Sequence, residues 1–348
     1  MVSPAQKKER APFNRDVLRW ARERVKLSPD SAAKGAGVTP DHIQRWEAGD
    51  SVPTIKQGRK LANFYDVPFM ELLSKERPKM KELELVPDFR LHSDAEAPTE
   101  KYELLLIQAE AEETHLNALD LYDILGIKHP VLDDAFYWAL GKSTEAAAAS
   151  VREILKLPMS EQYSRKGNDR AKFISAFRNY LERAGIITMK NSGLAAFGAR
   201  GMCLFASPLP VLIFSKEAPT AQAFTLAHEL GHVVLKESGI SGPIGSAPNK
   251  TRAREVEDWC DGFAGAFLMP RDEVARVLQQ PAPPHRPEKS IDDGRIAAVA
   301  NAFCVSRHAA LVRLVELGYV DEHFYWKVKR PQFLEQEKDF KACPRRAV

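Results

Sequence analysis

The sequence predicts an α+β protein: a small all-helical unit at the N-terminus, then a larger, mainly helical unit carrying a small three-stranded sheet. Three observations predict it. Residues 13 to 73 hold repeated helix-start signals; between 185 and 215 the pattern switches to short runs of β-formers; and a long helical run with two histidines four residues apart follows.

In the first region Ser28-Pro29, Thr39-Pro40 and Thr54 each place a hydroxyl where a helix's first N–H groups need an acceptor. Two of them set proline at the first helical position, where its missing N–H is not needed. Gly37 falls between the second and third helices, where a tight turn is required. Five short helices are expected, within a first domain spanning 1–73. Residues 74–100 are charged, contain three prolines and lack sustained periodicity, so they read as a linker.

Helical periodicity returns over 101 to 185, in KYELLLIQAEAEETHLNALDLYDIL, TEAAAASVREILKL and DRAKFISAFRNYLERAG. GIITMK, GMCLFAS and PVLIFS then read as three strands. APTAQAFTLAHELGHVVLKE is strongly helical, and a second long helix, TRAREVEDWCDGFAGAFLMP, stops at Pro270. A helix pair, RIAAVANAF and SRHAALVRLVELG, reads as packing, and completes a second domain over 101–325 before a charged C-terminal tail, 326–348.

Hydrophobic content of 44% with 28% charged residues is ordinary globular composition. No run approaches the ~18 apolar residues that would span a bilayer, and the charged N-terminus is followed by no apolar segment, so no membrane partner and no export are expected. Cys203, Cys260, Cys304 and Cys343 are scattered and form no CxxC pair, which argues against both a disulfide framework and a thiolate zinc site and fits a reducing cytoplasm. The net charge of +3 is unevenly placed: residues 1–80 hold 16 Lys and Arg against 10 Asp and Glu, making the N-terminal end the docking side for a polyanion.

The chemistry concentrates at His228-Glu229-Leu230-Gly231-His232. One helical turn separates the histidines, so both imidazoles project from one face and can grip one cation, while Glu229 remains free as a general base toward water. Catalytic zinc usually takes three protein ligands. Glu257 and Asp261 lie four apart on the second long helix, a spacing at which one carboxylate ligates while the other hydrogen-bonds a ligand histidine from behind. Glu255 and Asp258 compete for the third position; Asp258 sits about 100° round the helix from Glu257.

The run PVLIFSKEAPTAQAFTLAHELGHVVL, followed by EVEDWCDGFAGAFLMP, resembles the ImmA/IrrE family of metallopeptidases, over about residues 101 to 320. The resemblance implies a zincin-like domain in which His228, His232 and Glu257 hold Zn2+ and Glu229 is the catalytic base. Cys260 stands where that family usually has alanine, and Asp261 where it usually has asparagine. RGMCLF is similar to a strand of the family, which leaves Arg200 without an assigned role. An edge strand, MCLFAS or PVLIFS, is expected to align an extended substrate by strand addition. His308, Tyr319 and His323 are candidates for stabilising the oxyanion.

The segment LRWARERVKLSPDSAAKGAGVTPDHIQRWEAGDSVPTIKQGRKLANFYDV resembles the XRE or Cro/cI-like repressor domain, carried by GV-T, I-x-x-WE-x-G and P-T before a fourth helix. The resemblance makes the first domain a helix-turn-helix reader of double-stranded DNA. Thr39-Pro40 opens its recognition helix, Ile43 and Trp46 turn inward, and Asp41, His42, Gln44 and Arg45 are left for a major groove. Gln44 and Arg45 suit adenine and guanine edges; Lys34, Lys56, Arg59 and Lys60 suit phosphates. Asp41, Glu47 and Asp50 dilute the positive face. Because such domains read paired half-sites, a homodimer is among the expectations.

Together these resemblances imply a DNA-binding regulatory zinc metalloendopeptidase that cleaves a partner transcriptional repressor in a stress or phage-related response. The alternative is a non-proteolytic XRE-type transcriptional regulator or toxin-antitoxin component whose zinc domain is structural or sensing. Loss of phenotype on replacing Glu229 separates the two.

Overall fold

A computed structural model of the chain describes residues 11–77, 86–87, 98–242, 252–333 and 335. Most of the expected linker, 74–100, and the end of the charged tail lie outside the described residues. The chain divides into two compact units, and the first takes the N-terminal helices together with the opening half of a long helix, α5 (Pro98–Leu125), up to Glu112.

In the first unit α1 (Arg15–Arg24), α2 (Pro29–Ala36), α3 (Pro40–Ala48) and α4 (Ile55–Tyr65) are followed by a 3-10 turn at Phe69–Leu73. Ser28 caps α2 by accepting from the Ser31 N–H, and Thr54 forms a reciprocal capping box with Gln57. Thr39 precedes α3 but makes no cap; its hydroxyl bonds His42 Nδ1 at 2.7 Å instead. Gly37, at φ +70°, takes the left-handed turn that ends α2. Val17, Leu18, Ala21, Ile43, Trp46, Leu61 and Tyr65 form the core, which Leu105 and Ala109 of α5 complete. Glu47 corrects one expectation. It is buried, and both its oxygens accept from Arg22, at 2.7 and 2.9 Å, so it takes no part in the outer charge of α3.

The second unit holds α6 (Thr144–Ile154), α7 (Ser160–Tyr163), α8 (Phe173–Arg183), a four-stranded sheet, and the helices α9 (Pro219–Leu235), α10 (Arg252–Leu268), α11 (Arg271–Leu278), α12 (Asp293–Phe303), α13 (Arg307–Glu316) and α14 (Glu322–Phe324). The strands β1 (Ile187–Asn191), β2 (Gly201–Leu204) and β3 (Val211–Ser215) are joined by β4 (Gly239–Ser241), a three-residue strand too short to announce itself in the sequence. The order is β1-β3-β2-β4, with β1 parallel to β3 and β2 antiparallel to both β3 and β4.

That order overturns the expected docking strands. MCLFAS and PVLIFS supply β2 and β3, which are interior with both edges paired, so the edges belong to β1 and β4. β3 is buried along its whole length, as a continuous apolar run in a covered sheet should be.

Helix α9 is buried from Gln222 through Val234 and packs on the sheet through Leu226, Leu230 and Val233. α10 crosses it closely at Gly231, where an added Cβ would lie 3.1 Å from Cys260 Sγ and 3.2 Å from the Cys260 Cα. The far end of α10 is anchored by Arg313, 1% exposed, which donates to the Met269 carbonyl at 3.0 Å and to Glu145 at 2.6 Å. α12 and α13 give Ile296, Val299, Phe303, Leu311 and Leu314 to the same core, as expected for packing helices. Among the described residues no single helix is long and apolar enough to cross a membrane. Cys203, Cys260 and Cys304 are free and buried.

Candidate active site

The crossing of α9 and α10 brings four side chains to one point. His228 and His232 sit one turn apart with ring centroids 5.2 Å from each other, on the face of α9 that meets α10. Glu257 of α10 faces both: its Oε2 lies 3.4 Å from His228 Nε2 and its Oε1 lies 3.1 Å from His232 Nε2. One turn further along α10, Asp261 Oδ1 stands 2.8 Å from His228 Nδ1. Of the carboxylates the sequence left open, Glu255 and Asp258 are exposed, and Asp258 pairs with Arg254 at 3.3 Å.

The pattern of unmet hydrogen-bonding capacity tests the site for a metal. His228 Nε2, Glu257 Oε1 and both oxygens of Glu229 are buried without a hydrogen-bond partner. Buried polar atoms are nearly always paired, and the orphans of His228 and Glu257, which face one another, need a common partner. Two imidazole nitrogens and a carboxylate at 3.1 to 3.4 Å set lone pairs facing one another, which only a proton or a cation between them relieves. The donor set, two nitrogens and an oxygen with a position left open, suits catalytic zinc.

Cys260 is a second candidate on the same helix, because its Sγ falls within 4.8 Å of ligand nitrogens from both histidines. Charge separates the two. Burial and the neighbouring Glu257, Glu229 and Asp261 hold the Cys260 thiol well above its ordinary pKa, hence protonated. Burial disfavours the Glu257 carboxylate, yet His228 and His232 outweigh it and lower its pKa to about 2. Glu257 is therefore the anion ready to ligate, and Cys260 fills the helix crossing against Gly231.

Glu229 points the other way around α9, toward β2. An added Cβ on Gly201 would lie 2.1 Å from Glu229 Oε1, so the carboxylate occupies the space a side chain at 201 would need. Burial raises its pKa to about 7, the two imidazoles pulling it down and Glu257 pushing it up. Burial opposes charging His228 as well, but Glu257 and Asp261 hold its pKa well above the usual histidine range.

A small recess opens over these groups, lined by Arg200, Phe224, Thr225, His228, Glu229, Ser241, Gly242 and Asp261. Ser241 lies 3.2 Å from His232 Nε2, and Arg200 pairs with Glu217 at 3.2 Å beside the opening. Arg200 thus acquires a location that its motif could not give it. Ser241 was not legible at all: a serine between Ile240 and Gly242 carries no signal until β4 is laid against β2. The three oxyanion candidates lie elsewhere. His308 bonds the Tyr325 hydroxyl at 2.9 Å, Tyr319 donates to the Gln280 carbonyl at 3.2 Å, and His323 is exposed on α14.

In the first unit Ile43 and Trp46 are buried, while Thr39, Asp41, His42, Gln44, Arg45 and Lys56 are exposed. Asp41 and Arg45, one turn apart on α3, approach to 3.9 Å.

Compared with known families, residues 183–315 match the IrrE N-terminal-like domain and residues 18–72 match the helix-turn-helix family. Over 108 residues the chain is 34% identical to the "Radiation response metalloprotease IrrE" of Deinococcus radiodurans, a stretch that covers 30% of this chain and 30% of that relative. Both resemblances read from the motifs are shown by these matches. The chain carries a helix-turn-helix domain of XRE type and an IrrE-like metallopeptidase domain.

Proposed function

We propose that this chain, which joins a helix-turn-helix domain to an IrrE-like metallopeptidase domain, is a DNA-binding zinc endopeptidase that cleaves a partner transcriptional repressor in a stress or phage-related response. The observation that carries the reading is the convergence of His228, His232 and Glu257 at 3.1 to 3.4 Å with Glu229 buried beside them.

In this reading the two histidines and Glu257 hold the metal, and Asp261 fixes the His228 tautomer by accepting its Nδ1 proton, leaving Nε2 as the ligating atom. Zinc bound there supplies Lewis acidity toward a peptide carbonyl and toward water. Glu229 takes a proton from the attacking water and passes it to the leaving amine nitrogen; a pKa near 7 suits a group that must do both. β4 is the edge strand that runs into the recess at Ser241 and Gly242, so an extended substrate aligned on it would lie across the site.

The first unit supplies location. Gln44 and Arg45 are exposed on α3 for base edges, with Thr39, Asp41, His42 and Lys56 around them. Paired half-sites make a homodimer the expected DNA-bound form, and the buried free thiols suit a reducing cytoplasm.

The test is cleavage. Purified protein with zinc, incubated with repressors encoded near its own gene, is expected to give fragments that Glu229→Gln abolishes. Equal cleavage by that variant overturns the assignment.

A further inference from the structure

Six of the nine large hydrophobic side chains that the described residues expose fall in one sixteen-residue stretch: Leu116, Leu121, Ile124, Leu125, Ile127 and Val131, each 57 to 79% exposed. Surface aliphatics scattered singly are ordinary, whereas a cluster on one element marks a contact surface. The stretch is the C-terminal half of α5 and the turn after it, all within the second unit. Its opposite side anchors it there. His115 is buried with Nδ1 on the Leu209 carbonyl at 2.8 Å, and beyond the helix Leu132 joins the main core.

Between those anchors the helical period gathers the exposed side chains into a stripe. Leu121, Ile124 and Leu125 are spaced i, i+3, i+4. Gly126, at φ +65°, ends the helix, and the Ile127 N–H turns back to the Tyr122 carbonyl at 3.0 Å, which keeps Ile127 beside the last turn. At roughly 100 Å² for each largely exposed aliphatic side chain, the six present on the order of 600 Å², the upper end of what a monomer shows in one patch. That approaches the ~800 Å² each partner buries in a standard stable interface, with flanking polar residues left to form the rim.

The stripe is also complementary to itself. A two-fold axis through the point between Asp120 and Leu121 runs two copies of the helix antiparallel, which opposes their dipoles. It sets Leu116 opposite the partner's Leu125, Asn117 opposite the partner's Ile124, and Glu113 opposite the partner's Lys128. Glu113 and Lys128 are both exposed and form no ion pair among the described residues. Each contact occurs twice by symmetry.

We propose that this face of α5 is a homodimer interface, occupied by the same face of a second copy of the chain in antiparallel register. Asp120 lies inside the stripe, one turn from both Leu116 and Ile124, so pairing must partly desolvate it and the expected affinity is micromolar rather than tighter. Pairing brings two helix-turn-helix units into one particle, as paired half-sites require. The surface itself rests on neither the DNA reading nor the peptidase reading.

Sedimentation of the full chain carrying Glu229→Gln, without DNA, tests it. A monomer–dimer equilibrium is expected as concentration rises. Leu121→Glu with Ile124→Glu should weaken it at least about 100-fold, and because both positions are exposed, the thermal melt of the monomer should stay as it was. Glu113→Lys alone and Lys128→Glu alone should each weaken pairing about tenfold by setting like charges face to face, while the two together restore it. A chain that stays monomeric throughout overturns the proposal, and so does a dimer indifferent to Leu121→Glu with Ile124→Glu. If that variant fails to fold, the charge exchange still decides: absence of rescue overturns the antiparallel register. Loss of DNA binding or of cleavage with the dimer intact counts against those readings and leaves this surface standing.

Discussion

Asp261 Oδ1 lies 2.8 Å from His228 Nδ1 and thereby turns the other imidazole nitrogen toward Glu257. A ligand histidine held from behind binds more tightly because its tautomer and ring orientation are set in advance. Asp261→Ala is expected to weaken zinc affinity about 10- to 100-fold with little loss of fold, since Asp261 is partly exposed. Asp261→Asn, which keeps an acceptor oxygen, should lose less. Competition against a chelating dye checks both; equal affinity in all three proteins removes the role.

Cobalt distinguishes Glu257 from Cys260 as the third ligand. The cobalt-loaded protein is expected to lack a thiolate charge-transfer band, to be spectrally unchanged by Cys260→Ala, and to lose its spectrum with Glu257→Ala. A near-ultraviolet band that vanishes with Cys260→Ala would assign the ligand to sulfur instead.

Glu229 makes the metal-free protein sensitive to alkali. Burial raises its folded-state pKa from an ordinary 4.5 to about 7, so the folded state binds the proton more tightly than the unfolded chain. The stability this contributes is fully present below the unfolded pKa and is lost as pH rises through about 7, to the extent of about 3 kcal/mol. Chemical denaturation of the apoprotein across that range should show the loss, and Glu229→Gln should flatten it.

Gly201 is expected to be as sensitive as Glu229. With an added Cβ 2.1 Å from Oε1, Gly201→Ala must displace either the carboxylate or strand β2. Activity should fall by two orders of magnitude or so, in the range that a misplaced general base costs, while zinc content stays near normal. Retention of full activity would show that Glu229 can work from another position.

On the exposed face of α3, if it reads DNA as proposed, Arg45→Ala and Gln44→Ala should each cost about 1 to 3 kcal/mol for the cognate site and relax specificity at one base pair. Lys56→Ala should weaken all sequences alike and reduce the salt slope by about one. Glu47→Ala acts differently. It strands Arg22, bonded to both its oxygens at 2.7 and 2.9 Å, and should destabilise the first unit by about 3 kcal/mol, seen as a lower melting temperature.

Much of this was legible because the governing signals are local. The HExxH spacing fixes two imidazoles on one helical face whatever surrounds them, and a second helix with carboxylates four apart offers a ligand and a support for it. The helix starts at Ser28 and Thr54 followed from hydroxyl chemistry, and the inward turn of Ile43 and Trp46 followed from helical period. Thr39 shows where such reasoning stops: its hydroxyl had two acceptable partners, and His42 rather than the backbone took it.

The sequence by itself determined that the chain is an α+β protein with a helix-turn-helix end and a helix pair carrying candidate metal ligands, because residue type and period dictate local form and local form dictates which side chains share a face. Only the tertiary structure decided which two of four acidic residues meet the imidazoles, that β2 and β3 lie inside the sheet, and that β4 and Pro87 come together beside the recess. Those outcomes depend on how α10 crosses α9 at Gly231 and on the order in which strands pair. Both are contacts between residues far apart in the chain, and close packing selects one arrangement among several that the local pattern permits.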